Sequence, residues 1–346
     1  MNLLKHQLPP EWAPQEGVII AWPSAESDWG SRVNEVETVY LNIAREIACR
    51  EKLIIVCHSP HQLTEVDQQL KQQQINSTSI SLYVAPFNDT WIRDYGPISC
   101  LTQNGQIQLL DFVFNGWGKK YNATLDNQVS TQLYEQGAFN TSVLKRSDLI
   151  LEGGSIEVDG AGSLLTTASC LLSKARNAHF NQVAIENQLK YWLGVEQVLW
   201  LYHGQLIGDD TDGHIDTLAR FCNPHTICYV ACDDPEDEHY LELQAMKAEL
   251  STFHTKGIPY RLVPLPWPCP KFSANGKRLP ASYANFLIIN GAVLAPTYQD
   301  PADTKALSIL QECFPDRQVI GIDCLPLIQQ YGSLHCITMQ LPARTI

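Results

Sequence analysis

Leu151-Glu-Gly-Gly-Ser-Ile-Glu-Val-Asp-Gly160-Ala-Gly-Ser-Leu-Leu-Thr-Thr-Ala168 decides the fold. Two strand-like runs, 155–158 and 163–168, flank Asp159-Gly160, a pair that takes positive φ readily and so marks a hairpin turn. The signal recurs. Runs 98–101 and 106–114 flank Asn104-Gly105, runs 283–289 and 292–296 flank Asn290-Gly291, and runs 215–221 and 226–231 enclose the softer Asn223-Pro224. A helix-like stretch follows each hairpin, at 123–137, 180–193, 235–250 and 302–314. Strand-like runs come next, as at 197–202, 260–265 and 318–323.

An unpaired strand remains near each end: 17–22, before a helix at 33–50 and a strand at 52–57, and 336–340. Pairing these two would complete a fifth unit of about 69 residues and close the sheets into a ring without exposed edges. The expected class is therefore α/β, a five-bladed propeller of ββαβ units around a pseudo-fivefold axis. The alternative, an open doubly wound sheet, calls for simple strand–helix alternation rather than repeated hairpins. No linker or low-complexity tract divides the chain, so one domain is expected over 1–346.

The composition is that of a globular protein, with 45% hydrophobic and 18% charged residues. Lys+Arg number 24 against 37 Asp+Glu, a net charge of −13, so a nucleic acid would meet an unfavourable field and no basic patch offsets it. The opening residues 1–10 lack the apolar core of a signal peptide, and no apolar run reaches the ~20 residues of a membrane span. The expected compartment is the cytoplasm, with no membrane partner. Eleven scattered cysteines do not form a disulfide framework.

Polar and glycine-rich clusters stand where hairpins begin: Trp91-Ile-Arg-Asp-Tyr-Gly-Pro97, Leu151-Glu-Gly-Gly154, Asp210-Thr-Asp-Gly-His-Ile-Asp216 and Gly332-Ser-Leu-His-Cys336. In a ring of equivalent units these strand ends converge, bringing together carboxylates, a histidine and a thiol. His214 and Asp216, two apart on an assumed strand, would share a face and enter one pocket; the plain alternative is a surface histidine beside a solvated aspartate. By the same geometry His335 and Cys336 would point to opposite faces, leaving His335 a structural histidine.

Those motifs, with Phe114-Asn-Gly-Trp-Gly-Lys-Lys-Tyr121, Ala281-Ser-Tyr-Ala-Asn-Phe286 and His335-Cys-Ile-Thr338, resemble the successive motifs of the agmatine deiminase family over nearly the whole chain. That family is related to bacterial peptidyl-arginine deiminases and, more distantly, to arginine deiminases. The resemblance implies a five-bladed propeller, a cysteine nucleophile, no metal or organic cofactor, and a homodimer. It implies Cys336 as nucleophile, His214 as general acid/base, Asp94 and Asp216 as the pair that grips the guanidinium, Glu152 as the carboxylate orienting the histidine, and Trp91 as an aromatic packed on the substrate. Trp91 has a plain reading as a core aromatic. Trp117 and Asp210 are further candidate substrate contacts, although Asp209, Asp210 and Asp212 also read as a solvated loop. Where the family often has a run of glycines before His-Cys and Thr-Gln-Gln after the isoleucine, this chain has Tyr331-Gly-Ser-Leu334 and Thr338-Met-Gln340, which bears on the substrate rim.

These residue types suit one reaction. Two carboxylates hold a planar guanidinium by its N–H groups. A thiolate attacks its carbon, ammonia leaves with a proton from the histidine, and water cleaves the amidino-thioether. With agmatine the product is N-carbamoylputrescine. A deiminase of free or peptidyl arginine is the nearest alternative, and would need an Arg or Lys for a free α-carboxylate. A non-catalytic guanidine or polyamine binding protein is another. Cys222, His225, Cys228 and Cys232 have the look of a zinc cluster, but an extended run would spread Cys228 from Cys232, and no metal is expected.

Overall fold

The computed structural model of the protein describes residues 6–139 and 143–346, so part of the opening segment 1–10 lies outside the described residues. All four expected hairpins form antiparallel pairs: Ile98–Thr102 with Ile107–Val113, Glu157–Val158 with Ser163–Thr167, Ala219–Asn223 with Thr226–Val230, and Leu287–Ile289 with Ala292–Thr297. The second strand of each then gains a parallel partner, respectively Val143–Ile150, Gln197–Leu201, Arg261–Leu265 and Gln318–Asp323. A parallel partner is out of reach of a tight turn, so the chain crosses over through Val129–Glu135, Gln182–Leu193, Tyr240–Leu250 and Asp303–Cys313.

A fifth sheet joins distant parts of the chain. Thr338–Pro342 pairs antiparallel with Gln15–Ala21, with Ile20 opposite Thr338, and Lys52–Cys57 and then Ile80–Val84 add in parallel. Leu53, Ile54, Ile55 and Val56 are all buried, as an inner parallel strand covered on both faces requires. The result is a mixed α/β fold in which strands are distributed over separate small sheets, unlike an open doubly wound sheet.

The sequence expectations need four corrections. The helix Pro60–Gln72 and strand Ile80–Val84 were not foreseen, although Ser59-Pro60 marks the helix start: Ser59 Oγ accepts from Gln62 N at 3.2 Å and proline occupies the first turn. The expected helix 235–250 starts only at Tyr240, and 123–137 shortens to a 3-10 turn, Asp126–Gln128, followed by Val129–Glu135. Two of the hairpins' first strands start four residues late, since 215–217 is a 3-10 turn and 283–286 is irregular, whereas the strand expected at 98 starts at Ile98. The closing strand likewise starts at Thr338, not 336. These late starts leave short, non-repetitive segments at the sheet ends, and the chemical groups sit on them.

Candidate active site

Asp94 is carried by a single buried helical turn, Ile92–Tyr95. Its Oδ2 accepts from Trp117 Nε1 at 2.8 Å and its Oδ1 from the Gly154 amide at 2.9 Å. Trp117 reaches it from a left-handed run: Gly116, Trp117, Gly118 and Lys119 have φ of 69, 52, 84 and 69°. That conformation costs a tryptophan roughly 1–3 kcal/mol and persists only where the surroundings enforce it. Asn115 does so, its Oδ1 accepting from Gly118 N at 2.9 Å and its Nδ2 donating to Ala175 O at 2.9 Å.

Gly154 marks where the site converges. A Cβ on it would stand 2.6 Å from His214 Nδ1, 2.9 Å from Asp94 Oδ1 and 3.1 Å from Asp216 Oδ2, so three functional atoms surround one point. His214 and Asp216 therefore do enter one site, but not as alternate residues of a strand: Ile215–Thr217 is a 3-10 turn, and turn geometry brings them together. Asp216 Oδ2 lies 2.8 Å from His335 Nδ1, whose Nε2 is 2.8 Å from Glu11 Oε1. His335 is thus held at both nitrogens as a positioning residue. The strand-face argument for it also fails, because 335 and 336 lie in a turn. Asp216 Oδ1 is buried with no hydrogen-bond partner, and so is His214 Nε2. An unpaired buried carboxylate oxygen is costly and marks a place for a donor to arrive.

Cys336 is 8% exposed, with Sγ 3.4 Å from Asn285 Oδ1 and 3.8 Å from Asp216 Oδ2. It lines the same cavity as His214, Asp94, Asp216, Trp91 and Trp117. Trp91 packs against Gly332, where any side chain would overlap its ring. Glu152 is fully buried, both carboxylate oxygens 2.9 Å from Arg176 Nε, and its Oε2 is 3.9 Å from His214 Nε2. Cys170 lies on that same side, 3.8 Å from Glu152 Oε2, and is absent from the cavity wall. Glu152, Cys170 and His214 are close enough to share a cation, but the Arg176 guanidinium already occupies that carboxylate and would repel one.

Electrostatics divide these groups. Burial pushes the Asp94 carboxyl up to about 6; protonated His214 opposes the rise, and the charges of Asp216 and Glu152 add to it. Asp216 is held below the usual carboxylate range despite burial, through its hydrogen bond with His335 and the nearby cationic groups. Burial also opposes charge on His214, but Asp94 and the Glu152 side outweigh it and raise its pKa well above the ordinary value. The Cys336 thiol is pushed well up by burial and by Asp216 and Asp94. These shifts favour the protonated imidazole of His214 and the protonated thiol of Cys336.

A pH dependence follows. Only ionised Asp94 attracts a cation strongly, so kcat/KM for a cationic substrate is expected to fall as pH drops through about 6 and to hold across neutrality while His214 stays protonated. A pH–rate profile checks this, and a flat response between about 5 and 7 contradicts the assignment.

Asp28, Asp89, Asp209 and Asp210 line the outer cavity, and no Arg or Lys lines it among the described residues. Asp209 is spent on its own loop, accepting from Thr211 Oγ1 and Gly213 N at 2.6 Å each. Asp210 accepts from Tyr121 OH, and Lys120 Nζ donates to Asp212 Oδ1 at 2.8 Å, so this loop is an ordered rim rather than a solvated stretch. The suspected zinc pattern is not assembled: Cys232 Sγ turns to Asp234 O at 3.6 Å, while Cys222 and Cys228 meet Cys313 instead. Glu11 and Arg176 belong to the site without any motif that marks them, Gly154 and Asn285 stand in motifs that assign them no task, and His335, expected to be structural, is hydrogen-bonded to Asp216 and Glu11.

The model of the Porphyromonas-type peptidyl-arginine deiminase family matches residues 7–342. The agmatine deiminase of Pseudomonas aeruginosa (strain LESB58) is 32% identical over 360 residues, covering 97% of this chain and 95% of that protein. Among solved structures, a Porphyromonas gingivalis protein named "Putative Arginine Deiminase" superposes with a TM-score of 0.91 at 48% identity, over 99% of this chain and 100% of that one. The substrate-bound agmatine deiminase of C. jejuni superposes with a TM-score of 0.89 at 37% identity, over 97% and 96% of the two chains.

Proposed function

The chain belongs to the Porphyromonas-type peptidyl-arginine deiminase family, and from that membership we propose that it hydrolyses agmatine to N-carbamoylputrescine and ammonia at Cys336. The observation that carries the reading is the convergence of Asp94, His214 and Asp216 around Gly154, on a cavity that Cys336 also lines.

The guanidinium enters flat. Its N–H groups satisfy the unpaired Asp216 Oδ1 and the Asp94 carboxylate, whose orientation Trp117 and Gly154 fix. The arriving cation offsets the acids that hold the Cys336 thiol protonated, so on substrate binding the thiol releases its proton to solvent water and the thiolate forms. Cys336 Sγ attacks the guanidine carbon. Protonated His214 donates to the departing ammonia, and the amidino-thioether remains. Neutral His214 then takes a proton from water, which adds to the same carbon and displaces the sulfur. Arg176 anchors Glu152 on the far side of the imidazole and keeps that ring in place. Trp91 stacks on the substrate, and Asp210 belongs to the rim that receives the amine end.

Agmatine is favoured over arginine by the cavity wall. An α-carboxylate would be set among aspartates, and the nearby Lys120 ammonium is already held by Asp210 and Asp212. A panel of agmatine, arginine and a peptidyl-arginine, followed by ammonia release and ureido product, tests this. The expected kcat/KM ratio of agmatine to arginine is at least about 10²; equal or reversed preference rejects the substrate.

The five sheets of three or four strands are on this reading the blades of a propeller about a pseudo-fivefold axis. The repeated hairpin-plus-parallel-strand unit and the sheet shared by both ends of the chain support it. The same family membership supports one domain over 1–346, a homodimer, no cofactor and a cytoplasmic setting. No described helix is long and apolar enough to cross a membrane.

A further inference from the structure

Outside the site, three thiols crowd together. Cys222 lies on the strand Ala219–Asn223, Cys228 on Thr226–Val230, and Cys313 ends the helix Asp303–Cys313. The strand pairing skips Cys222 at an irregularity between Phe221 and Asn223, an extra residue of the kind that re-aims a side chain. Cys222 Sγ is 2.9 Å from Cys228 Sγ, which is 3.4 Å from Cys313 Sγ, and all three sulfurs lie within 4.8 Å of one another. Cys222 and Cys228 are buried, whereas Cys313 is partly exposed. The thiols form a donor chain, Cys222 to Cys228 to Cys313, ending on the one residue of the three that is partly exposed.

We infer that this cluster is an oxidation site for hydroperoxides, with Cys313 the attacking sulfur and Cys228 the thiol that closes a disulfide to it. The thiol donors and the charge of Arg261 hold Cys313 well below the usual thiol range, whereas burial raises Cys57, Cys100, Cys324 and Cys336. A partly exposed thiolate beside a second thiol is the arrangement that peroxide oxidises selectively. The Cys313 thiolate attacks one peroxide oxygen; the O–O bond breaks, hydroxide leaves, and a sulfenic acid forms. Cys228 gives up its proton as its sulfur displaces the sulfenic hydroxyl, which leaves as water. Cys228 and Cys313 lose two electrons together, and the peroxide is reduced to water and hydroxide. A metal is the competing occupant, but sulfurs bound at about 2.3 Å in tetrahedral geometry stand about 3.8 Å apart, wider than either contact here.

The test is treatment of the intact, substrate-free protein with hydrogen peroxide, then alkylation, digestion and mass spectrometry. A Cys228–Cys313 disulfide reversible by dithiothreitol is expected, forming at least about tenfold faster than oxidation of Cys336. In Cys313→Ser, Cys222 and Cys228 should stay reduced at the same peroxide dose, with agmatine turnover unchanged. Cys313 that remains fully alkylatable in the treated wild type overturns the inference. So does equal Cys222–Cys228 oxidation in the variant, or stoichiometric zinc on the purified protein that shields all three thiols. None of these outcomes depends on the identity of the guanidine substrate.

Discussion

Replacing Cys336 by alanine is expected to abolish ammonia release from agmatine, with kcat reduced by at least about 10⁴-fold. The loss should fall on kcat and leave affinity within a few fold, because Asp94 and Asp216, the carboxylates proposed to hold the cation, keep their own partners: Trp117 and Gly154 for one, His335 for the other. Steady-state ammonia release and calorimetric titration with agmatine separate the two effects. Cys170→Ala is the informative control. Cys170 is buried beside Glu152 and does not line the cavity, so that variant should retain turnover within about tenfold. Activity in Cys336→Ala, or its loss only in Cys170→Ala, would assign the nucleophile wrongly here.

Gly154→Ala is expected to cost about 10²–10³-fold in kcat/KM while leaving the fold intact. Gly154 is not in the left-handed region, so it is space rather than backbone conformation that demands glycine. One methyl group would press on His214 Nδ1 and Asp94 Oδ1 closer than real carbon contacts allow, and lean on Asp216 Oδ2. At least two of the three must shift, and displacements of about 1 Å at reacting groups cost about 10²-fold. Overpacking of this kind destabilises by only about 1–3 kcal/mol. Thermal unfolding and kinetics measured on the same preparation distinguish a disturbed site from a lost fold. Wild-type kcat/KM in this variant would mean that catalysis does not need those three atoms where they lie.

How far the sequence could be read depends on whether the signal was local. Turn pairs such as Asp159-Gly160 and Asn290-Gly291 act within a few residues, and the hairpins around them form as expected. Apolar period gave the strands 52–57 and 318–323 to the residue. The helix Pro60–Gln72 escapes the periodicity because its residues are mostly polar and its amphipathic face is narrow, with only Val66 and Leu70 buried. At the site, Cys336, His214, Asp94, Asp216 and Glu152 were legible through their ordered motifs, and all five are buried and convergent. The reason offered for His214 and Asp216 was wrong, since a 3-10 turn and not a strand unites them. Arg176 and Glu11 carry no local mark, and Asn285 is marked only by the motif 281–286. Each is an ordinary polar residue until tertiary folding sets it against Glu152, His335 or Cys336.

The pairing of Gln15–Ala21 with Thr338–Pro342 bears on when activity can appear. Cys336 stands two residues before a strand whose antiparallel partner among the described residues, Gln15–Ala21, is far away in sequence. During synthesis the hairpins between them need only neighbours close in sequence, whereas this contact must wait for the longest loop closure in the molecule. The sulfur is therefore among the last groups to be positioned. A ribosome-bound chain can form its hairpin units before Cys336, and His335 that holds Asp216, are set in place.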